Sequence, residues 1–237
     1  MSVRLLSSST RVTSYTQHLT LSMLIRSLGI AFLAVAAPAA AMSQSLSESG
    51  TFLVRHGSDT VATEQFTRSA TRLEGTLAIH NAKRTSERWV AVIAPDATLP
   101  LIEVIVKEGI DSAGRKARVT QRARVIFKAD SAAVDAVGGD GLQTRLFATS
   151  PGAVPYLNLS FALLEQAIRR ARVTPGNTGV SFFNLGGGQT VSATLAPLGG
   201  DSLLLDIGNV RYHLRVDAEG RLMGGRIPAQ DVVAERR

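Results

Sequence analysis

Val210-Arg211-Tyr212-His213-Leu214-Arg215-Val216 runs into Asp217-Ala218-Glu219-Gly220 and resumes at Arg221-Leu222. Apolar side chains stand at every second position of the first seven residues, with charged or polar ones between them. A period of two is that of an extended strand with one face buried and the other in water. The Asp-Ala-Glu-Gly tetrad that follows is turn chemistry, with a glycine free to take a positive φ. The stretch therefore predicts one strand, a tight connection and a second strand, the unit of an antiparallel sheet.

Outward from that hairpin the same grammar repeats. Strands are expected near residues 51–56, 60–68, 71–80, 87–94, 99–107, 116–128 and 142–148, and again near 180–185, 189–196, 201–207, 210–217, 221–227 and 231–235. Turn residues separate them at Gly57-Ser58-Asp59, Pro95-Asp96, Asp111 to Gly114, Gly138 to Gly141, Gly186 to Gly188 and Gly199-Gly200. Short strands without helices between them predict a mainly β fold: an antiparallel curved sheet, half-barrel or barrel of about 11–13 strands. One segment departs from the period. Leu157, Phe161, Leu164 and Ile168 recur at helical spacing between Pro155 and Arg172, and Arg169, Arg170 and Arg172 complement the negative end of a helix dipole. One packed amphipathic helix is expected there, over about 155–172.

The first 41 residues read as an address rather than as fold. Met23-Leu24-Ile25-Arg26 leads into an apolar run from Leu28 to Ala37, and Ala39 and Ala41 are the small residues of a cleavage site. A signal peptide is expected over 1–41, with Met23 as an alternative start. A flexible segment over 42–49 and a single β-rich domain over 50–237 follow it. The apolar run is shorter than the ~20 residues that cross a bilayer, so no transmembrane span is expected after cleavage, and the protein is read as exported, periplasmic or extracellular. The strands are too short and the 5% aromatic content too low for a spanning barrel with aromatic girdles.

The chain of 237 residues carries 26 Lys+Arg against 19 Asp+Glu and no cysteine. The absence of cysteine excludes disulfides, thiolate metal sites and a thiol nucleophile. Three of the cations fall in the leader, which leaves +4 over the remaining 196 residues. The excess of Arg over Lys fits a GC-rich coding bias, and no nucleic-acid partner is expected. Widely separated histidines offer no metal site, and no cofactor is expected.

Leu53-Val54-Arg55-His56-Gly57 resembles the signature of the histidine phosphatase (phosphoglycerate mutase-like) superfamily. The resemblance implies His56 as a phosphorylated nucleophile, Arg55 as a phosphate ligand, His213 or His80 as a second imidazole, and an α/β sandwich. Ser58 stands where that family carries Glu or Gln, and Thr60 to Arg68 alternates as a strand where the family has a helix. The whole plan is closer to the uncharacterised β-rich exported proteins of bacteria, on the closing Arg215-Val216-Asp217-Ala218-Glu219-Gly220-Arg221-Leu222, and more distantly to the lipoprotein-carrier half-barrels of the cell envelope. That resemblance implies a non-enzymatic envelope protein that binds a lipid, a hydrophobic small molecule or an envelope protein, with Leu157, Phe161, Leu164 and Ile168 touching the ligand or closing its cavity; the other reading of that face is plain core. A phosphomonoesterase using His56, and an interaction module without ligand, are the alternatives. Finally, Lys116, Arg118, Arg122, Arg124 and Lys128 fall on even positions of one expected strand. They are read as a row of cations for an anionic surface, or as a solvated face neutralised by Glu74, Glu103 or Glu108.

Overall fold

The computed structural model describes residues 47–109, 117–173 and 179–237. The leader expected over 1–41, the turn expected at Asp111 to Gly114, and Lys116 lie outside them. Fifteen strands form one sheet. In chain order they are β1 (Glu48–His56), β2 (Asp59–Arg68), β3 (Arg72–Ile79), β4 (Thr85–Val92), β5 (Leu101–Glu108), β6 (Arg118–Phe127), β7 (Ser131–Gly138), β8 (Gly141–Ala148) and β9 (Val154–Tyr156). The helix α1 (Phe161–Val173) follows, then β10 (Gly179–Asn184), β11 (Thr190–Gly199), β12 (Ser202–Ile207), β13 (Val210–Val216), β14 (Leu222–Ile227) and β15 (Val232–Arg236).

Each strand from β1 to β8 pairs antiparallel with the next, and so does each from β10 to β15. The two arms meet where β1 pairs antiparallel with β15, Phe52 opposite Arg236 and Val54 opposite Ala234. The exception to the pattern is β9, which runs parallel to β10. The hydrogen-bonded ladder begins at β8 and ends at β9, so the curved sheet is not closed into a barrel. Side chains reach across that gap: Phe147 meets Phe183 edge-on, and Thr190 Oγ1 donates to Ala148 O at 3.3 Å.

The upper end of the expected 11–13 strands is two short of the number found. The expected set lacks β7, an alanine-rich Ser-Ala-Ala-Val-Asp-Ala-Val-Gly run of modest strand propensity. It also lacks β9, three residues that helical spacing places with the helix. The strand opening the sheet starts at Glu48, inside the segment expected to be flexible.

Alternation sets the two faces. Tyr212, Leu214 and Val216 are buried while Arg211 and Arg215 are exposed, as the period of two requires. Where two large aromatics share the inner face, glycines make room for them. Gly50 lies opposite Phe66, and Gly75 lies between Phe66 and Trp89 in the next pairs. A Cβ on Gly50 would come within 2.8 Å of the Phe66 ring, and one on Gly75 within 2.5 Å of the Trp89 indole. Trp89 is fully buried, and its Nε1 finds no hydrogen-bond partner among the described residues.

The helix fills the concave side. Every residue from Ser160 to Ile168 is buried, so its first two turns are enclosed all round rather than along one stripe. It packs against β2, β9, β10 and β14. It starts at Phe161, six residues later than expected, because Val154–Tyr156 is taken by the sheet and Leu159 sits at φ 65°. No helix among the described residues is long and apolar enough to cross a membrane.

Candidate functional site

Enclosing a helix carries a cost, since its first N–H groups cannot reach water. Glu64, from the inner face of β2, meets that need from another element. Its Oε2 accepts from the N–H groups of Phe161 (2.7 Å) and Ala162 (2.9 Å), and its Oε1 accepts from Ser160 Oγ at 2.5 Å. The carboxylate also complements the positive end of the helix dipole. Burial nevertheless pushes its pKa up from 4.5 to about 7, against the lowering effect of those hydrogen bonds and with a further push from Glu165.

One turn on, Glu165 is fully buried and tied from every side. Arg236 Nη1 donates to it at 2.8 Å, Arg169 Nε at 2.8 Å and the Leu222 N–H at 3.1 Å, with Arg68 Nη2 at 3.6 Å. Glu48 takes Arg169 at 2.7 Å and Arg236 at 2.5 Å. Arg68 also donates to Gln166, and burial draws its pKa down to about 10. Arg236 lies over the Phe66 ring at 5.0 Å. Strands β1, β2, β14 and β15 thus grip one helix through alternating charges. Glu165 and Arg68 are sealed from solvent, whereas Glu48 and Arg169 keep 23% and 27% of their side chains exposed at the outer end of the network.

The residues read from the sequence as ligand contacts fall inside this arrangement. Phe161, Leu164 and Ile168 are buried in the common core, and Leu157 packs half-buried against it. Phe161 meets Phe52 with ring centroids 5.7 Å apart. The space a lipid would occupy in a half-barrel carrier is filled by the protein's own helix.

Arg55 and His56 end β1, where Asp59 and Val232 flank His56 and Gly57 turns at φ 57°. His56 is exposed, and Arg55 pairs with Glu235 at 3.4 Å. The described residues do not form the α/β sandwich that the phosphatase resemblance implies: one helix, α1, joins the short parallel pair β9 and β10, and every other strand pairing is antiparallel. His80 lies in the turn after β3 and His213 on the convex face of β13, so the topology puts the three imidazoles on different elements.

The cation row is divided by a bulge. Opposite Val106 and Lys107 the register skips Thr120, so residues on either side of it fall out of alternation. Arg122 and Arg124 share the convex face with Ile105 and Glu103, while Arg118 pairs with Glu108 on the other face. Arg124 meets Glu103 at 3.7 Å. Lys128 lies in the β6–β7 connection. Of the three expected neutralising acids, Glu74 is held by Arg72 and Glu108 by Lys83.

A different surface gathers unpaired cations. On the convex side of β13 and β14, His213 lies opposite Arg226 and Arg215 opposite Gly224. Glu235 and Val233 flank that pair from β15, and Ser202 flanks it from β12. Gly224 holds φ 148°, and a side chain on it would run into Ala234 O. A groove of about 530 Å³ lies beside it, lined by Leu198, Ser202, His213, Arg215, Arg226, Val233 and Glu235. Among the described residues neither Arg215 nor Arg226 has an acidic partner, whereas Arg211 next to them is held by Asp206 at 3.1 Å. Leu198 and Val233 are 53% and 41% exposed at its margins. The sequence offered one sign of this groove: a Gly-Gly pair inside a strand marks a close approach or a gap.

No family model matches the chain, and no curated protein sequence matches it. Two solved structures match the chain. One is the crystal structure of a DUF1089 family protein from Pseudomonas aeruginosa, with a TM-score of 0.50 at 12% identity, covering 73% of this chain and 92% of that one. The other is a β-barrel-like protein of the domain of unknown function DUF1849 from Brucella abortus, with a TM-score of 0.45 at 10% identity, covering 81% and 94%. At these identities the first shows a shared fold and nothing finer.

Proposed function

We propose that the protein is a non-enzymatic exported binding protein whose ligand is an amphiphile with an anionic head group, held on the convex face in the groove over Gly224. The observation that carries this reading is the pair of unpartnered guanidiniums, Arg215 and Arg226, beside the exposed Leu198 and Val233. Guanidiniums hold a phosphate or carboxylate by charge-assisted hydrogen bonds without exchanging protons, which supports binding rather than turnover. The apolar margins suit a short length of hydrocarbon. A ligand inside the half-barrel is disfavoured because α1 occupies that space.

The test is calorimetric titration with dodecyl phosphate and with uncharged dodecyl maltoside, each below its micellar concentration. Dodecyl phosphate is expected to bind and the maltoside not. Arg215→Gln or Arg226→Gln each weakens binding about tenfold, equivalent to ~1.4 kcal/mol, and added salt weakens it further. Equal uptake of both amphiphiles, or unchanged affinity in the double variant, would overturn the reading. Export is checked separately, by fractionation and by whether the isolated protein begins at Met42.

A further inference from the structure

The sheet ends at β8, and β8 is unlike any other strand: all of its residues except Phe147 are exposed. Leu142 and Leu146 are 68% and 70% exposed, and Val137 beside Leu142 on β7 is 45% exposed. Natural edge strands are ordinarily short, charged or covered. This one runs eight residues with a single charge, Arg145.

The direction of its free backbone groups follows from the neighbouring turns. Lys128 N donates to Ser131 O, and Thr149 N donates to Asp130 O. Hydrogen bonding alternates along an antiparallel pair, so the odd-numbered residues of β8 bond to β7. The N–H and C=O groups of Leu142, Thr144 and Leu146 therefore point away from the sheet, and none has a partner among the described residues. The side chains of the same three residues stand on the convex face, opposite Val137, Asp135 and Ala133. Further along, the edge is blocked, since Thr190 Oγ1 occupies Ala148 O.

We propose that β8 pairs antiparallel with β8 of a second copy of this chain about a two-fold axis at Thr144. In that register Thr144 faces its own mate, and Leu142 faces the partner's Leu146. All three residues with free backbone groups are used at once, and the two leucine pairs extend the apolar strip of Val137. On the other face the partner's Gln143 receives Arg145, whose guanidinium already bonds Gln143 Oε1 of its own strand at 2.9 Å. Moving the register by two one way would set Arg145 against Arg145, a like-charge pair that a sheet disfavours, and the other way would set Leu146 against Asp140, outside the strand. The partner's Phe147 then meets Gly141, which has open space around it. A foreign strand would satisfy the backbone equally, but Leu-Gln-Thr-Arg-Leu laid against its own reverse sets leucine on leucine, threonine on threonine and glutamine on arginine. Association stops at two copies, because the opposite sheet edge is the three-residue β9 with Pro155 at its centre.

Sedimentation of the purified protein from micromolar to millimolar concentration tests this. The expected result is a mass that rises to twice the monomer, with Leu142→Glu and Leu146→Lys each remaining monomeric. The double variant Leu142→Glu/Leu146→Lys sets the introduced carboxylate of each copy against the introduced ammonium of the other, and is expected to regain the dimer. Both substituted sites are solvated in the monomer, and circular dichroism confirms that each variant is folded. A monomeric mass for the unaltered chain at every concentration, a dimer that survives either single substitution, or failure of the double variant to reassociate would overturn the proposal. The amphiphile reading stands or falls independently, since Arg215 and Arg226 lie on the other arm of the sheet.

Discussion

Glu64 is a carboxylate asked to do two things that pull in opposite directions. As the cap of α1 it accepts three hydrogen bonds, which favour its charge; as a fully buried group it is favoured neutral. Burial prevails, and the pKa stands near 7 against 4.5 in the unfolded chain. Between those values the folded protein holds a proton that the unfolded one has lost. This contribution to stability is complete below about pH 4.5 and is lost as pH rises through 7, a change of about 3 kcal/mol. Glu64→Gln keeps the acceptor for the helix amides and removes the titration. Urea unfolding of that variant is expected to match the parent near pH 5 and to lose less of its stability by pH 8. A variant whose pH profile parallels the parent's would show that Glu64 stays ionised throughout.

Among the elements, the strands carrying paired glycines and aromatics show how tightly the arms of the sheet are packed. Gly75→Ala places a Cβ within 2.5 Å of the Trp89 ring, which must shift against a full core. A loss of about 1–3 kcal/mol is expected, whereas Gly139→Ala, with nothing within 4 Å, leaves the denaturation midpoint unchanged. At this scale much is legible in the sequence. The period of two in Val210 to Val216, and the turn glycines that bound it, carry the antiparallel meander, and the spacing of Phe161, Leu164 and Ile168 carries the helix. What periodicity cannot carry is the helix being buried on all sides. Glu165 and Gln166 look like a solvated face until Arg236 and Arg68 come to meet them, from strands 71 and 98 residues away along the chain. The convex groove is hidden for a similar reason. Arg215 and Arg226 are ordinary outward cations in one dimension, and only the pairing of β13 with β14 sets them around Gly224. The row at 118–128 fails as a single face because one extra residue, Thr120, shifts the alternation without leaving a mark in composition.

The molecule as a whole hangs from one seam. Strands β1 and β15 lie at the centre of the sheet although they come from opposite ends of the described chain, and each arm is built outward from them by local hairpins. Helix α1 is gripped at the same seam, through Glu48 and Arg236. Hairpins form quickly from near neighbours, while a pairing such as Phe52 with Arg236 must close nearly the whole chain and is slow. Removal of residues 232–237 is therefore expected to abolish cooperative unfolding while leaving strand content by circular dichroism. A truncated chain that still melts in one sharp transition would show the arms to be independent. The lone tryptophan makes this simple to follow. Trp89 sits in the arm of β1 to β8, sealed from water and lacking even a partner for its indole N–H among the described residues. Its fluorescence is expected to be blue-shifted while the interior is dry and to shift to the red once solvent enters. The protein thus carries a built-in optical gauge of its own integrity, readable without any label.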